Sequence, residues 1–332
     1  DNSRNKQHLG EAAIGGLVGV SSVNLNKCSA VVDLQINCTH VDTNGYMNAA
    51  RYGNYVRVGG LAGGVRFAVT DCYTGGKITV SKETLKERVR TGSWGSNNTH
   101  FADGSEAVEV KWPIAGNGSN ANPATYVFIG GIGGSGFSSN FRNFSDKNGT
   151  DDGAPEYENC YTYMGLPTMQ GTIMAISRIG SVADRYEWAP SVTITNCYYY
   201  AESDVQYNLP KYHCGKKSLA TILASDEEKE KMLQGDLSYL SEYIGGRNHR
   251  PSYSIDLTKL SYEQMAGRKD VTKNGQDKRI LELLNQNGDS VFGWVTVEEA
   301  QAEVHGKYSF PGKNIAVLHL SPRRAFCSPC LC

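Results

Sequence analysis

The sequence predicts a mainly β protein built as a solenoid of parallel strands, and two observations carry this prediction. A glycine-rich box followed by a cysteine recurs along the first two thirds of the chain. Self-similarity at a period of tens of residues is the signature of repeat architectures. Glycine and tyrosine are abundant, with 37 and 19 residues, which suits β structure with tight corners and aromatic packing.

Four copies of the box can be recognised, and in the first two the cysteine follows the box at the same distance. The four pairs of box and cysteine are residues 14–19 with Cys28, 58–63 with Cys72, 129–133 with Cys160, and 178–182 with Cys197. The positions that we assign to the repeat are Gly15, Gly16, Leu17, Cys28, Gly59, Gly60, Leu61, Cys72, Gly130, Gly131, Cys160 and Cys197.

Stacking of parallel strands explains these residue types. Successive strands lie about 4.8 Å apart, so equivalent residues form columns. We expect Leu17, Leu61 and Ile132 to point inward and to stack on one another. Glycine suits the corners because it has no Cβ, and cysteine is small and apolar enough for a tight interior column. A single repeat cannot bury its apolar face alone, so about three are needed for a core.

The box and its downstream triplet resemble the GLUG motif of large bacterial surface and secreted proteins. The matching triplets are Asp71-Cys72-Tyr73, Asn159-Cys160-Tyr161 and Asn196-Cys197-Tyr198. The third box has isoleucine for leucine, and the fourth has lost its second glycine. The resemblance implies a right-handed parallel β-helix without catalytic residues of its own, located outside the bacterial cell or on its surface.

The repeats occupy residues 1–200, with polar insertions near 81–125 and 137–158. Insertions in a solenoid project as loops from one face, which is often the binding face. Residues 201–320 change character and predict a mixed α/β cap, which would protect the last strand edges from pairing with other chains. Residues 321–332 have a different composition again, and we predict a disordered tail.

Short helices are expected in this cap. Residues 218–243 read as helical, with a possible capping box at Ser225, and Ser261 is a second cap candidate. Residues 277–287 have the apolar spacing of a short amphipathic helix.

No cofactor or metal is predicted. Residues 131–136 match the spacing of a dinucleotide-binding glycine loop, but no helix pattern follows them and they align with the other boxes. Cys327, Cys330 and Cys332 have metal-like spacing, and His319 is the nearest further ligand, but we interpret them as part of the tail. The repeat cysteines are expected to be free thiols inside the solenoid.

The net charge of −1 gives no electrostatic case for nucleic acid as a partner. No apolar run reaches the 18 residues of a membrane-spanning helix. The polar start of the chain carries neither a signal peptide nor an initiator methionine, so we expect a mature or excised segment of a longer protein.

We interpret the chain as a non-catalytic binding or stalk module that presents loops to a host or environmental glycan or to a surface protein. The candidate ligand-binding residues are Trp94, Trp112 and Trp188. The first alternative is a β-helix polysaccharide lyase or glycoside hydrolase, with Asp151, Asp152, Asp184 and Arg185 as its candidate catalytic residues. The second alternative is a structural spacer of a larger secreted enzyme.

Overall fold

The computed structural model describes residues 11–37, 54–81, 88–90, 99–101, 125–136, 155–181, 192–209, 217–239, 253–286, 291–295 and 317–320. In this part of the chain the structure is mainly β and most of its sheets are parallel, as the sequence predicts.

Four stretches carry the repeats, and they are numbered here in chain order. Repeat 1 contains β1 (Glu11–Gly15), β2 (Val18–Ser21), β3 (Leu25–Asn26) and β4 (Ser29–Ile36). Repeat 2 contains β5 (Asn54–Gly59), β6 (Ala62–Val65), β7 (Val69–Thr70) and β8 (Tyr73–Val80). An antiparallel pair, β9 (Arg88–Arg90) and β10 (Thr99–Phe101), precedes the third repeat. Repeat 3 contains β11 (Thr125–Gly130), β12 (Gly133–Gly136), β13 (Glu156–Glu158) and β14 (Tyr161–Thr162). After β15 (Met169–Gln170), repeat 4 contains β16 (Ile173–Ser177) and β17 (Val192–Tyr200).

Equivalent strands of successive repeats pair in parallel. One sheet has the order β1-β5-β11-β16, and a second has the order β2-β6-β12. In a third sheet the long strand β17 continues both the β3-β7-β13 series and the β4-β8-β14 series. The register places Ile14 beside Val58, Val58 beside Ile129, and Ile129 beside Ile176. The repeats are therefore stacked residue on residue.

The second glycine of the box is required by this stacking. A Cβ on Gly60 would lie 2.2 Å from the carbonyl oxygen of Gly131, and Gly16 faces the Gly60 carbonyl in the same way. In repeat 4 the register places Ser177 and Arg178 where repeat 3 has its glycine pair. Among the described residues no further repeat lies on Arg178, and the Arg178 N–H instead donates to the Leu233 carbonyl. The fourth box can therefore dispense with the second glycine.

A column of apolar residues lies inside the stack. Leu61, Ile132 and Ile179 are fully buried, whereas Leu17 is 49% exposed because repeat 1 has no described repeat on its other side. The repeat cysteines follow the same trend, since Cys28 is half-buried and the other three are buried.

The C-terminal region is a mixture of α and β structure. Its elements are β18 (Tyr207–Asn208), α1 (Leu219–Ile222), α2 (Asp226–Gln234), β19 (Tyr253–Leu260), α3 (Tyr262–Met265), β20 (Val271–Lys273), β21 (Gln276–Lys278), α4 (Ile280–Leu284), β22 (Phe292–Val295) and β23 (Val317–Leu320). Strand β19 pairs in parallel with β17, and α2 packs against β16.

The helices of this region are shorter than the sequence pattern suggests. The segment predicted to be helical, residues 218–243, contains α1 and α2 in its described part, and Ser225 caps α2 within the segment as the sequence suggests. Ser261 forms a full capping box with Gln264 at the start of α3. The amphipathic pattern of residues 277–287 corresponds to α4, which covers only the middle of that range.

Replacing Gly60 by alanine tests the stacking. We expect Gly60→Ala to lower the free energy of unfolding by about 2–3 kcal/mol, because the new methyl group overlaps the Gly131 carbonyl. Gly165→Ala is the matched control, since Gly165 is exposed and its added Cβ would come no nearer than 3.3 Å to the Lys77 side chain. Urea denaturation measures both; equal losses would contradict the close approach.

Candidate functional site

A column of residues with left-handed backbone conformation precedes the cysteines. The φ angles of Lys27, Asp71, Asn159 and Asn196 lie between 50° and 55°. Asparagine and aspartate adopt this conformation more readily than other residues with a Cβ. The Asn196 amide donates to Asn159 Oδ1 at 2.9 Å, and the Asn159 amide donates to Asp71 Oδ1. Side chains therefore join repeats 2, 3 and 4 in addition to the backbone pairing.

The end of α4 completes this polar column. The Asn159 amide also donates to the Leu284 carbonyl at 2.7 Å, and the Asn196 amide donates to the Leu283 carbonyl at 3.1 Å. The last four carbonyls of a helix have no partner within the helix. The column supplies partners for two of them and thereby anchors α4 to the repeats.

Lys273 binds the repeat-4 end of the column. Its ammonium lies 2.8 Å from Asp256 Oδ2 and donates to Asn196 Oδ1 at 2.9 Å and to the Tyr198 hydroxyl at 3.3 Å. Burial and the nearby Asp256 raise the pKa of Tyr198 above its ordinary value, so the phenol stays protonated. The three partners match the three donors of a lysine. This cluster stabilises the fold, and the Lys273 ammonium has no donor left for a substrate.

The cysteines beside this column are also structural. They are free thiols, and Cys72, Cys160 and Cys197 each donate to the carbonyl two residues earlier at 3.1, 3.2 and 3.3 Å. Burial raises the pKa of the Cys160 thiol well above its usual range. A buried, protonated thiol is a poor nucleophile, so Cys160 does not suit covalent catalysis.

Arg178 is a buried charged residue whose guanidinium is only partly engaged by the fold. Only 4% of the residue is exposed, and its guanidinium lies over the Tyr199 ring, 5.2 Å from the ring centre. Its Nε has no hydrogen-bond partner, and no carboxylate of the described residues forms an ion pair with it. Burial lowers the pKa of Arg178 from its ordinary value. Burying a charge without a partner is costly, which marks Arg178 as a functional candidate.

The surroundings of Arg178 offer further polar groups. The Tyr207 hydroxyl is buried without a partner, and burial raises the pKa of Tyr207 to about 12. Lys229 lies over the Tyr207 ring at 5.3 Å and is paired with Asp226 at 2.8 Å. Of the nearby carboxylates, Asp204 is bound by Lys259, and Glu230 accepts from the Gln234 amide. A guanidinium without an ion pair and a hydroxyl without a partner suit a carboxylate or a sulfate group. We call Arg178, Tyr199, Tyr207 and Lys229 the Arg178 cluster.

The inserted segments join the repeats at two corners only. Residues 38–53 and 81–124 both connect the β4/β8 series to the β5/β11 series, whose strands are paired in register. Residues 137–154 and 182–191 both lead into the β13/β17 pair, where Glu156 lies beside Thr193. Each corner therefore carries segments from adjacent repeats, and residues 182–191 begin four positions after Arg178.

The site residues predicted from sequence lie within these segments and outside the described residues. Trp94 and Trp112 fall in the segment at the first corner. The remaining candidates fall in the two segments at the second corner, and they are Asp151, Asp152, Asp184, Arg185 and Trp188. The predicted tail, residues 321–332, is outside the described residues as well.

Sequence reasoning missed two features. The sequence shows the asparagine or aspartate before the cysteine at the positions of the left-handed column. It does not show their backbone conformation or their partners on α4. Arg178 was visible as an arginine in the position of a box glycine. That departure from the repeat is the signal that could have singled it out.

Several classes of site are missing from the described part of the chain. There, no group of three or more His, Cys, Asp or Glu side chains is arranged to hold a metal ion. Among these same residues, no helix has the length and apolar character needed to cross a membrane.

Comparison with protein-family models, with curated proteins and with solved structures gives no match.

The polar column can be tested at Asn159. Glycine tolerates the left-handed conformation, so Asn159→Gly removes the side-chain hydrogen bonds without adding backbone strain. We expect a loss of about 2–4 kcal/mol in the free energy of unfolding, because the Leu284 carbonyl and the Asn196 amide lose their partner. Asn274→Gly is the control, since Asn274 has the same backbone conformation and is exposed. Similar losses at both positions would disprove the role of the column.

At Arg178 we expect the opposite result, namely that removing the charged group costs little stability. We expect Arg178→Met to change the free energy of unfolding by no more than about 1 kcal/mol, because the thioether fills the space without the cost of burying a charge. Arg178→Ala leaves a cavity and should cost about 2 kcal/mol or more. Thermal and urea denaturation separate these effects. A methionine variant as unstable as the alanine variant would show that the charge itself stabilises the fold.

Proposed function

We propose that this chain is a non-catalytic module of a secreted or cell-surface bacterial protein, in which the stacked repeats form a right-handed parallel β-helix. Its inserted segments contact a host or environmental glycan or a surface protein. The observation that carries this proposal is the joining of segments from adjacent repeats at the same two corners. In a stack of this kind, insertions that leave at the same corner start from adjacent strands, and such a shared corner suits a binding surface. The resemblance to GLUG-motif proteins agrees with it.

The distribution of polar groups supports a binding role over a catalytic one. In the described part of the chain, the Asp71–Asn159–Asn196 column, Lys273 and the thiols are engaged in contacts within the protein. Aromatic side chains give a flat apolar surface for a sugar ring, and the inserted segments contain Trp94, Trp112 and Trp188.

The second candidate is a β-helix polysaccharide lyase or glycoside hydrolase. The observation in its favour is that the segments carrying Asp151 and Asp152 and those carrying Asp184 and Arg185 enter adjacent repeats at one corner. Glycoside hydrolases use paired carboxylates, and a cluster of this composition can supply them. A third role, a spacer within a larger secreted enzyme, requires neither set of residues.

Incubation of the full chain with a panel of neutral and acidic polysaccharides and mucin tests these roles, with soluble product and retained protein both measured. We expect retention without product. Replacing Trp94, Trp112 and Trp188 by alanine should weaken retention by about tenfold or more for each contacting ring, the equivalent of about 1.4 kcal/mol.

Tyr262→Ala is the matched control, because Tyr262 is a partly exposed aromatic residue of α3, outside the segments at both corners. Released oligosaccharide that disappears in Asp151→Asn, Asp152→Asn or Asp184→Asn would replace this proposal by the enzyme. If the chain neither binds nor cleaves any polysaccharide and binds no mucin, the spacer role is the one that remains.

A further inference from the structure

Two polar side chains without partners lie near each other where α2 covers repeat 4. Arg178 Nε and the Tyr207 hydroxyl are both buried, and neither has a hydrogen-bond partner. Each of the two groups acts on the pKa of the other, so they lie within electrostatic reach. Among the described residues, none accepts a hydrogen bond from the Arg178 guanidinium. Because buried polar groups are almost always paired, two unpaired donors at one place suit an acceptor from outside the chain.

The guanidinium is held in one position. The Arg178 backbone N–H donates to the Leu233 carbonyl at 2.7 Å, and the guanidinium lies 5.2 Å from the centre of the Tyr199 ring. Tyr199 belongs to β17, which is paired with β14 on one side and with β19 on the other. A guanidinium is planar and offers two parallel N–H groups, which match two oxygens of a carboxylate or of a sulfate group. Little conformational entropy is then lost when such a group binds.

The residues around these donors reach solvent. Tyr207 and Lys229 are half-buried, and Asp204 and Glu230 are exposed. Both of these carboxylates act on the charge of Arg178. The unpaired donors therefore lie just beneath the protein surface.

Arg178 is a single unpaired cation, which suits a group with one negative charge. The cost of removing an ion from water grows with the square of its charge, whereas its attraction to one guanidinium grows only in proportion to that charge. A carboxylate and a sulfate ester each carry one charge, and a phosphate monoester carries nearly two. The site therefore favours a carboxylate or a sulfate ester.

We propose that Arg178 and Tyr207 form a binding site for the carboxylate or sulfate group of an acidic sugar. Nε and a terminal nitrogen of the guanidinium donate to two oxygens of this group, and the Tyr207 hydroxyl donates to one of them. The inference rests on the proposed function and deepens it, because it names acidic glycans as the ligand class. Residues 182–191, which lead into the second corner, start four positions after Arg178, so the site lies within a few residues of that corner.

Isothermal titration calorimetry of the full chain tests the proposal. The probes are sodium glucuronate and glucose 6-sulfate, with glucose as the uncharged sugar and sodium acetate as the carboxylate without a sugar. We expect at least one acidic sugar to bind more tightly than glucose and acetate. Arg178→Met should weaken this binding by about tenfold or more, and Tyr207→Phe by about threefold or more, because a charge-assisted and a neutral hydrogen bond are lost. Glu230→Gln should strengthen it by about two- to fivefold, because a repulsive charge is removed.

Arg66→Met is the matched control. Arg66 also has a buried Nε without a partner, and its guanidinium lies over the Phe67 ring at 5.3 Å. It lies between β6 and β7 of repeat 2, two repeats from Arg178, so its replacement should leave the affinity unchanged. Circular dichroism verifies that each variant is folded.

The proposal is overturned if neither acidic sugar binds, if acetate binds as tightly as the acidic sugars, or if Arg178→Met and Arg66→Met have equal effects. Retention on polysaccharides separates this inference from the proposed function. If polysaccharides are retained equally by the unaltered chain and by Arg178→Met, the binding module stands and the Arg178 site falls. If an acidic sugar binds through Arg178 but no polysaccharide is retained, the site stands and the glycan contact of the inserted segments falls.

Discussion

The structure depends on the close approach of one repeat's backbone to the next at the box. Gly60 lies so near the Gly131 carbonyl that no side chain fits between them, and Gly16 and Gly60 are related in the same way. This contact fixes the register, because a shift by one residue would place a side chain in the gap and turn the apolar face outward. All the columns follow from that register: the apolar residues, the thiols, and the asparagine and aspartate residues with left-handed conformation.

The same constraint explains why the two ends differ. The second glycine of the box is needed where another repeat lies on it, so the last repeat can carry Arg178 in its place. The helix that then covers Arg178 belongs to a region without repeats, and it leaves the guanidinium without a counter-ion among the described residues. At the first repeat the glycines are kept but nothing described covers Leu17. One end therefore holds a buried charge, and the other an exposed apolar surface.

Features that depend on residues close together in the sequence could be predicted, and features that depend on distant residues could not. The box and the cysteine recur, so the mainly β class and the parallel pairing could be predicted from the sequence, and the Ser261 cap is a local signal that the structure shows as expected. The contact between Asn159 and the Leu284 carbonyl joins residues 125 positions apart, and no local pattern encodes it. The exposure of Leu17 depends on what lies beyond repeat 1, although its own sequence matches that of the buried Leu61. The repeat sequence therefore predicts the burial of residues in the inner repeats but not in the first and last repeats.

The division between stack and insertions has a functional consequence. In the stack, the polar groups of the columns bind one another, and changing them costs stability before it changes any ligand contact. The segments at the corners are free of that constraint, because each leaves one paired strand and returns to another while the register beneath it stays fixed. Under the proposed binding role, specificity can change in residues 81–124, 137–154 and 182–191 while the paired strands keep their register. Arg178 lies at the boundary, in a stacked position over the Tyr199 ring, and no carboxylate of the described residues forms an ion pair with it. Under the proposed binding role, its charge is therefore available to an anionic group.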